Sequence, residues 1–352
     1  MKQHENHPSL TLFKQLLAVH APSSMENVHN GIADVVRSIL DEMGYAHETD
    51  NAGNVLVRLA GADPDAPLCC IAAHMDEIGM VVTNIADDGS LLVARSGGLH
   101  PWKLGEGPVD ILGDHATVTG VLSMGSTHTA NRSDRAITWT DVRVITGLTP
   151  AQLAEAGVRP GTQATPIHAV RGPVLFGNEA DPLVGAWTFD DRMGVVALLR
   201  TLAELKAANS TPHHPTVIAF TVCEEVGGHG AKVVALREHP DIFIAIDGCP
   251  MPPGCPLVLD SRPGIWTKDR LAVYDRRLVQ RLCQLAQDAG TELQPVAFDG
   301  AASDASLIAG VPRIACFGHV RENSHGYEVS QLSVFENVVK VLVRLMDVGC
   351  GE

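Results

Sequence analysis

Basic charge is scarce in this chain of 352 residues: 26 Lys and Arg stand against 41 Asp and Glu, a formal net charge of −15. A nucleic-acid partner would be drawn by clustered Lys and Arg, so none is expected. Long apolar runs are also missing. IFIAI at 242–246 and VVALL at 195–199 fall far short of the roughly 20 residues that cross a bilayer, so no membrane partner is expected either. The opening MKQHENHPSL has no apolar h-region, and a cytoplasmic location is the expectation. Eight cysteines without a repeated spacing do not make a disulfide framework, and most should be buried reduced thiols. With 33 Gly and 21 Pro, low complexity is excluded. Neither a GxSxG elbow nor a GxxxxGK[ST] phosphate loop occurs, which removes two common hydrolase chemistries.

What the chain does have is alternation. Helical spacing runs from Leu10 to His20 and from about Met25 to Met43, the second opened by the cap candidates Ser23 and Ser24. NVLVRL at 54–59 reads as a half-buried strand and LCCIAAH at 68–74 as a buried one. Beyond Gly79, short strand-like segments are broken by Gly, Asp and Pro, with one helical signal near 149–157. After GNEADPLVG, helix and strand alternate again up to a terminal helix at about 334–348. The pattern predicts an α/β fold, a mainly parallel sheet sandwiched by helices, with a small inserted β-barrel. The expected division is 1–81 and 185–352 for the sheet domain and 82–184 for the insertion.

Acids and histidines fall at the ends of the predicted buried strands. LCCIAAH runs into HMDEIG, IAFTVC into EEVGGHG, and IFIAI into Asp247, so three strands deliver metal-competent side chains to one edge of the sheet. In extended backbone His74 and Asp76 share a face, and Asp76 is then placed to accept the free ring N–H of a metal-bound His74. In FDDR, Asp190 can bridge two cations while Asp191 and Arg192 support the turn; either Asp can equally be a helix N-cap. The pair Glu224–Glu225 is costly to bury without cations, and with metal present Glu225 can ligate while Glu224 acts as general base. An exposed acidic turn is the plain alternative. Asp247 and His325 complete a set of oxygen and nitrogen ligands suited to two zinc-like ions. A Cys223–His229 nucleophile is disfavoured because the cysteine sits within an apolar strand.

HMDEIG, FDDRMG, TVCEEVGGHGA, AID and SHGYE together resemble the signature of the tetrahedral aminopeptidases, the group with the glutamyl and deblocking aminopeptidases. TWTDVRVITG and AGVRPGTQATP resemble further segments of that family. The resemblance implies a dinuclear metal exopeptidase fold whose barrel makes dimer contacts, often within tetrahedral dodecamers. It implies one ion on His74, Asp190 and Asp247 and another on Asp190, Glu225 and His325, with Glu224 as base and Asp76 as orienting carboxylate. Asp304 matches a family Asp near the site, structural or substrate-facing. Cys223, where relatives carry Gln, His229 in the glycine turn, and Asn323 and Ser324 before the final His depart from the family pattern. The expected cofactors are two divalent ions, zinc first, with cobalt and manganese as alternatives. The expected substrate is a peptide with a free N-terminus; a small N-acylated amide, or a non-catalytic scaffold, is the competing reading.

Overall fold

Three apolar runs set the centre of the molecule. In the computed structural model, which describes residues 4–126, 128 and 136–351, Cys69–His74, Thr216–Thr221 and Ile242–Ile246 are strands buried at every position. Strands without an exposed face need cover on both sides, the condition of a parallel sheet between helix layers. They form the middle of an eight-stranded sheet ordered 48–49, 55–59, 216–221, 69–74, 242–246, 313–318, 264–268, 294–297. The four strands from 216–221 to 313–318 run parallel, with Thr221 opposite His74. Their C-terminal ends therefore open at one edge.

Period-two alternation divides the apolar residues between two cores. Ile71, Ile218 and Ile244 pack with Leu10 and Phe13 of the Pro8–Leu17 helix, Leu198 of Arg192–Ala208 and Leu342 of Leu332–Val348. Cys70, Val217 and Phe243 face the other way, toward Ala231 and Val234 of the His229–Glu238 helix. No helix among the described residues is long and apolar enough to cross a membrane. All eight cysteines are free, and five of them are buried.

Six strands between Gly79 and Pro166 close into a barrel ordered 79–85, 91–96, 143–145, 117–123, 107–112, 163–166. The Thr117–Ser123 strand alternates exposed and buried residues, and Val118 and Leu122 point inward with Met80, Leu91, Val109 and Val144. The barrel starts three residues before the expected insertion and ends well before residue 184. Leu183–Trp187 instead pairs with Val174–Phe176 on one side and Tyr327–Gln331 on the other, in a separate antiparallel sheet. Strands of three to five residues leave too short a pattern to assign to one sheet or another. The second helix also begins later than expected, at Ile32. Ser24 and Asn30 have left-handed backbone, which breaks the helical run, and Gly31 takes the N-cap position. Ser23 caps no helix; its hydroxyl is used at the site described next.

Body and barrel are joined through a buried ion triad. Glu77 accepts from Arg171, at 2.7 and 2.9 Å, and from Arg192 at 2.8 Å, and none of the three side chains is more than 1% exposed. Arg171 lies just past the last barrel strand and Arg192 opens the long helix under the sheet.

Candidate metal centre

His74 ends its strand, and its ring is fixed from behind: Nδ1 lies 3.0 Å from the Asp76 carbonyl oxygen, the geometry of an N–H donor. Nε2 faces Asp190 Oδ1 at 3.1 Å and is the nitrogen turned toward the cluster. The Asp76 carboxylate was expected to hold this ring, but its Oδ1 is 3.5 Å from Nδ1 and its main partners lie elsewhere. It accepts the backbone N–H groups of Glu224 at 2.9 Å and Glu225 at 3.3 Å, and the Ser23 hydroxyl at 2.7 Å. Asp76 thus orients the glutamate turn, while its carbonyl orients the histidine. The cause is local: Cys223 has left-handed backbone, so the chain after Thr221 folds over the carboxylate.

Asp190 and His325 meet because the strands that carry them are neighbours. Trp187 pairs with Tyr327, which puts Asp190, three residues past one, beside His325, two residues before the other. Asp190 Oδ2 lies 3.3 Å from His325 Nε2 and also accepts from the Arg321 guanidinium. Glu328 braces both partners, accepting from the backbone N–H of Asp190 at 3.1 Å and of His325 at 3.0 Å. On the far side of the His325 ring, Nδ1 is 3.3 Å from the Gly98 carbonyl oxygen, and a Cβ on Gly98 would approach that nitrogen to 2.3 Å. Glycine is required there for the barrel chain to reach the site.

Two three-residue groups result, His74, Asp190 and Asp247, and Asp190, Glu225 and His325; within each, candidate ligand atoms lie within 4.8 Å of one another. Glu224 Oε2 stands 4.0 Å from His74 Nε2. Burial pushes Glu224 well above the usual carboxylate range, and Glu225 and Asp247 up to about 7. Burial acts on Asp190 in the same sense, but Arg321, His325 and His74 outweigh it and hold this carboxyl well below its ordinary value. Glu225 Oε1 is buried without a hydrogen-bond partner. Among the described residues Arg321 is the only Lys or Arg bonded to any of these four carboxylates. Buried negative charge in such excess is costly unless cations share the site, and the mixed imidazole and carboxylate set fits divalent ions of zinc-like chemistry.

Asp191 is the N-cap of the following helix, accepting from Gly194 N at 3.0 Å, and does not join either group. Asp304 is buried and accepts from the Thr221 hydroxyl; it does not line the cleft. The cleft, about 770 Å³, opens from the acidic cluster toward Trp266, Phe298 and a proline-rich loop from Pro250 to Pro256. Arg321, Glu328, Ser23 and Gly98 were not anticipated from sequence. A signal for two of them was at hand, since Arg321 and Glu328 flank His325 in the same RENSHGYE segment.

A helix-covered sheet thus carries this cluster at its open edge, with a barrel set into the chain. The profile of the family described as M42 glutamyl aminopeptidase matches residues 53–341, and the chain belongs to that family. The glutamyl aminopeptidase of Lactococcus lactis is 28% identical over 254 residues, 68% of this chain and 67% of the relative. The lysyl aminopeptidase of Pyrococcus furiosus is 30% identical over 242 residues, 67% of this chain and 65% of the relative. The chain therefore aligns with about two thirds of these relatives' lengths. Solved structures extend the likeness. The TET1 peptidase of Pyrococcus horikoshii, which can assemble into a tetrahedron or a large octahedral shell, superposes with a TM-score of 0.84 at 26% identity, covering 97% of this chain and 99% of that one. A TET aminopeptidase from a marine sediment Thaumarchaeota archaeon gives 0.85 at 22% identity, covering 97% and 96%.

Proposed function

We propose that the protein removes N-terminal residues from peptides using two divalent ions, one held by His74, Asp190 and Asp247 and the other by Asp190, Glu225 and His325. The observation that carries this reading is the sharing of Asp190 between two ligand groups, with the buried Glu224 beside them. When bound, the ions acidify a water and polarise the scissile carbonyl. Glu224, 4.0 Å from His74 Nε2, would take the proton of that water and return it to the leaving amine. Asp76 keeps Glu224 in place through the backbone N–H. Arg321 keeps Asp190 ionised, so that both its oxygens remain available as ligands.

The acidic end of the cleft favours a free α-amino group, and the apolar wall of Trp266 and Phe298 receives the side chain. A peptide substrate with a free N-terminus is therefore expected to be cleaved on the order of 10³-fold faster, in kcat/KM, than its N-acetylated form. Equal rates on the two would favour the N-acyl hydrolase reading instead. A panel of aminoacyl chromogenic substrates run with zinc, cobalt and manganese identifies the preferred residue and the native ion.

Assembly belongs to the same proposal. Val121 and Ile145, cross-strand partners on the barrel, are both large apolar residues exposed on its outer face, a surface suited to a second copy of the chain. Dimers, within a tetrahedral dodecamer, are the expected state. Light scattering at micromolar concentration should give a mass that is a multiple of the chain's 37.4 kDa, and a clean monomer would defeat this part. Eight free thiols accord with a reducing, cytoplasmic setting.

A further inference from the structure

Away from the catalytic cluster, three more side chains converge where the sheet body meets the barrel. His20 lies just beyond the Pro8–Leu17 helix, Asp110 on the Gly107–Leu112 barrel strand, and His168 opens the short turn of His168–Val170. His20 Nε2 is 3.0 Å from Asp110 Oδ2, and the two imidazoles stack with centroids 3.9 Å apart and planes inclined by 13°. Candidate ligand atoms of all three residues lie within 4.8 Å of one another. The catalytic groups show the same imidazole-to-carboxylate spacing, 3.1 and 3.3 Å, on the same chain.

We propose that His20, Asp110 and His168 bind a further divalent cation of zinc-like chemistry, which clips the barrel to the sheet body. Two imidazoles and one carboxylate are a common zinc donor set, with a fourth position left for water. The Thr119 hydroxyl donates to Asp110 Oδ1 at 2.8 Å, fixing the carboxylate with its other oxygen toward His20. Burial, aided by the nearby Arg171, draws His20 down to about 4, so the ring is neutral at physiological pH and its contact with Asp110 is not an ion pair. Neutral imidazole is the ligand form. The rings as stacked cannot both aim a nitrogen at one ion, so the exposed His168 turns out of the stack to ligate, and its exposure gives the ion a route in. The role is structural, because Ala21, next to His20, donates its N–H to Glu77 at 3.0 Å, in the triad that already joins body and barrel.

One feature limits the affinity. His20 Nδ1 is buried without a partner, so an ion on Nε2 leaves a ring N–H unsatisfied, whereas the second nitrogen of His74 has the Asp76 carbonyl. Binding is therefore expected to be on the order of tenfold or more weaker than at the His74 group.

The test counts ions. Zinc is titrated into chelator-stripped protein, and ions per chain are measured by native mass spectrometry for wild type, His168→Ala and Asp110→Asn. Wild type should hold one ion more than either variant, whatever number the catalytic cluster contributes. His168→Ala, an exposed change, should keep wild-type peptidase rates at saturating metal. Equal counts in all three proteins would overturn the proposal. A wild type that binds a single ion, lost in His168→Ala, would uphold this site and overturn the catalytic pair, so the two readings fail separately.

Discussion

Glu224→Gln is expected to lower kcat by about 10²–10⁴-fold, the usual contribution of a positioned general base, while leaving bound metal unchanged. The amide keeps the size of the side chain, and the backbone N–H that bonds Asp76 is untouched, so the turn and its neighbour Glu225 stay where they are. What disappears is the ability to carry a proton. Metal content measured by mass spectrometry alongside steady-state kinetics separates this outcome from a loss of ligation. Near wild-type turnover would remove Glu224 from the proton path.

The second large effect lies outside the catalytic cluster. Glu77→Gln should destabilise the fold by about 3–5 kcal/mol, because it leaves two fully buried guanidinium groups without their countercharge. Arg171 and Arg192 keep bonds to backbone carbonyls, of Pro166 for the first and of Leu16 and Val19 for the second. These satisfy N–H groups and not charge. The same triad fixes a pH dependence. Burial alone would raise Glu77, yet the two arginines outweigh it and hold its carboxyl far below the ordinary value near 4.5. A carboxyl with a depressed folded-state pKa stabilises fully above its unfolded pKa, and that stability drains as pH falls through the folded value. Wild type should therefore lose stability in denaturant melts below about pH 4.5, and Glu77→Gln should show a flatter acid limb. A variant within 1 kcal/mol of wild type would mean that the arginines find other countercharges.

Much of the sheet was legible because its central strands are unbroken apolar runs, and a run as short as CCIAAH, bounded by turn residues, reads as a covered strand. The candidate ligands were legible for a related reason. An acid or histidine directly after such a run sits at the sheet edge whatever the loops do, and His74, Glu224, Glu225 and Asp247 all occupy that position. Other parts depend on contacts between distant segments. Ser23 looks like a helix cap until residues 25–31 are seen to turn, and its actual partner is 53 residues away. Arg321 neutralises Asp190 across 131 residues, a pairing that local spacing does not encode. Asp76 was read as holding a histidine because strand geometry fixes its side, but which of its oxygens meets the ring is decided by the fold of the glutamate turn.

The reach of Gly98 to the His325 ring has a consequence for how this architecture can vary. That glycine follows the barrel strand Leu91–Ser96, so one wall of the catalytic chamber is contributed by the module whose outer surface is free to face another subunit. Barrel and chamber cannot be exchanged independently: a chimera carrying a relative's barrel would inherit that relative's chamber wall, and with it a different seat for the histidine.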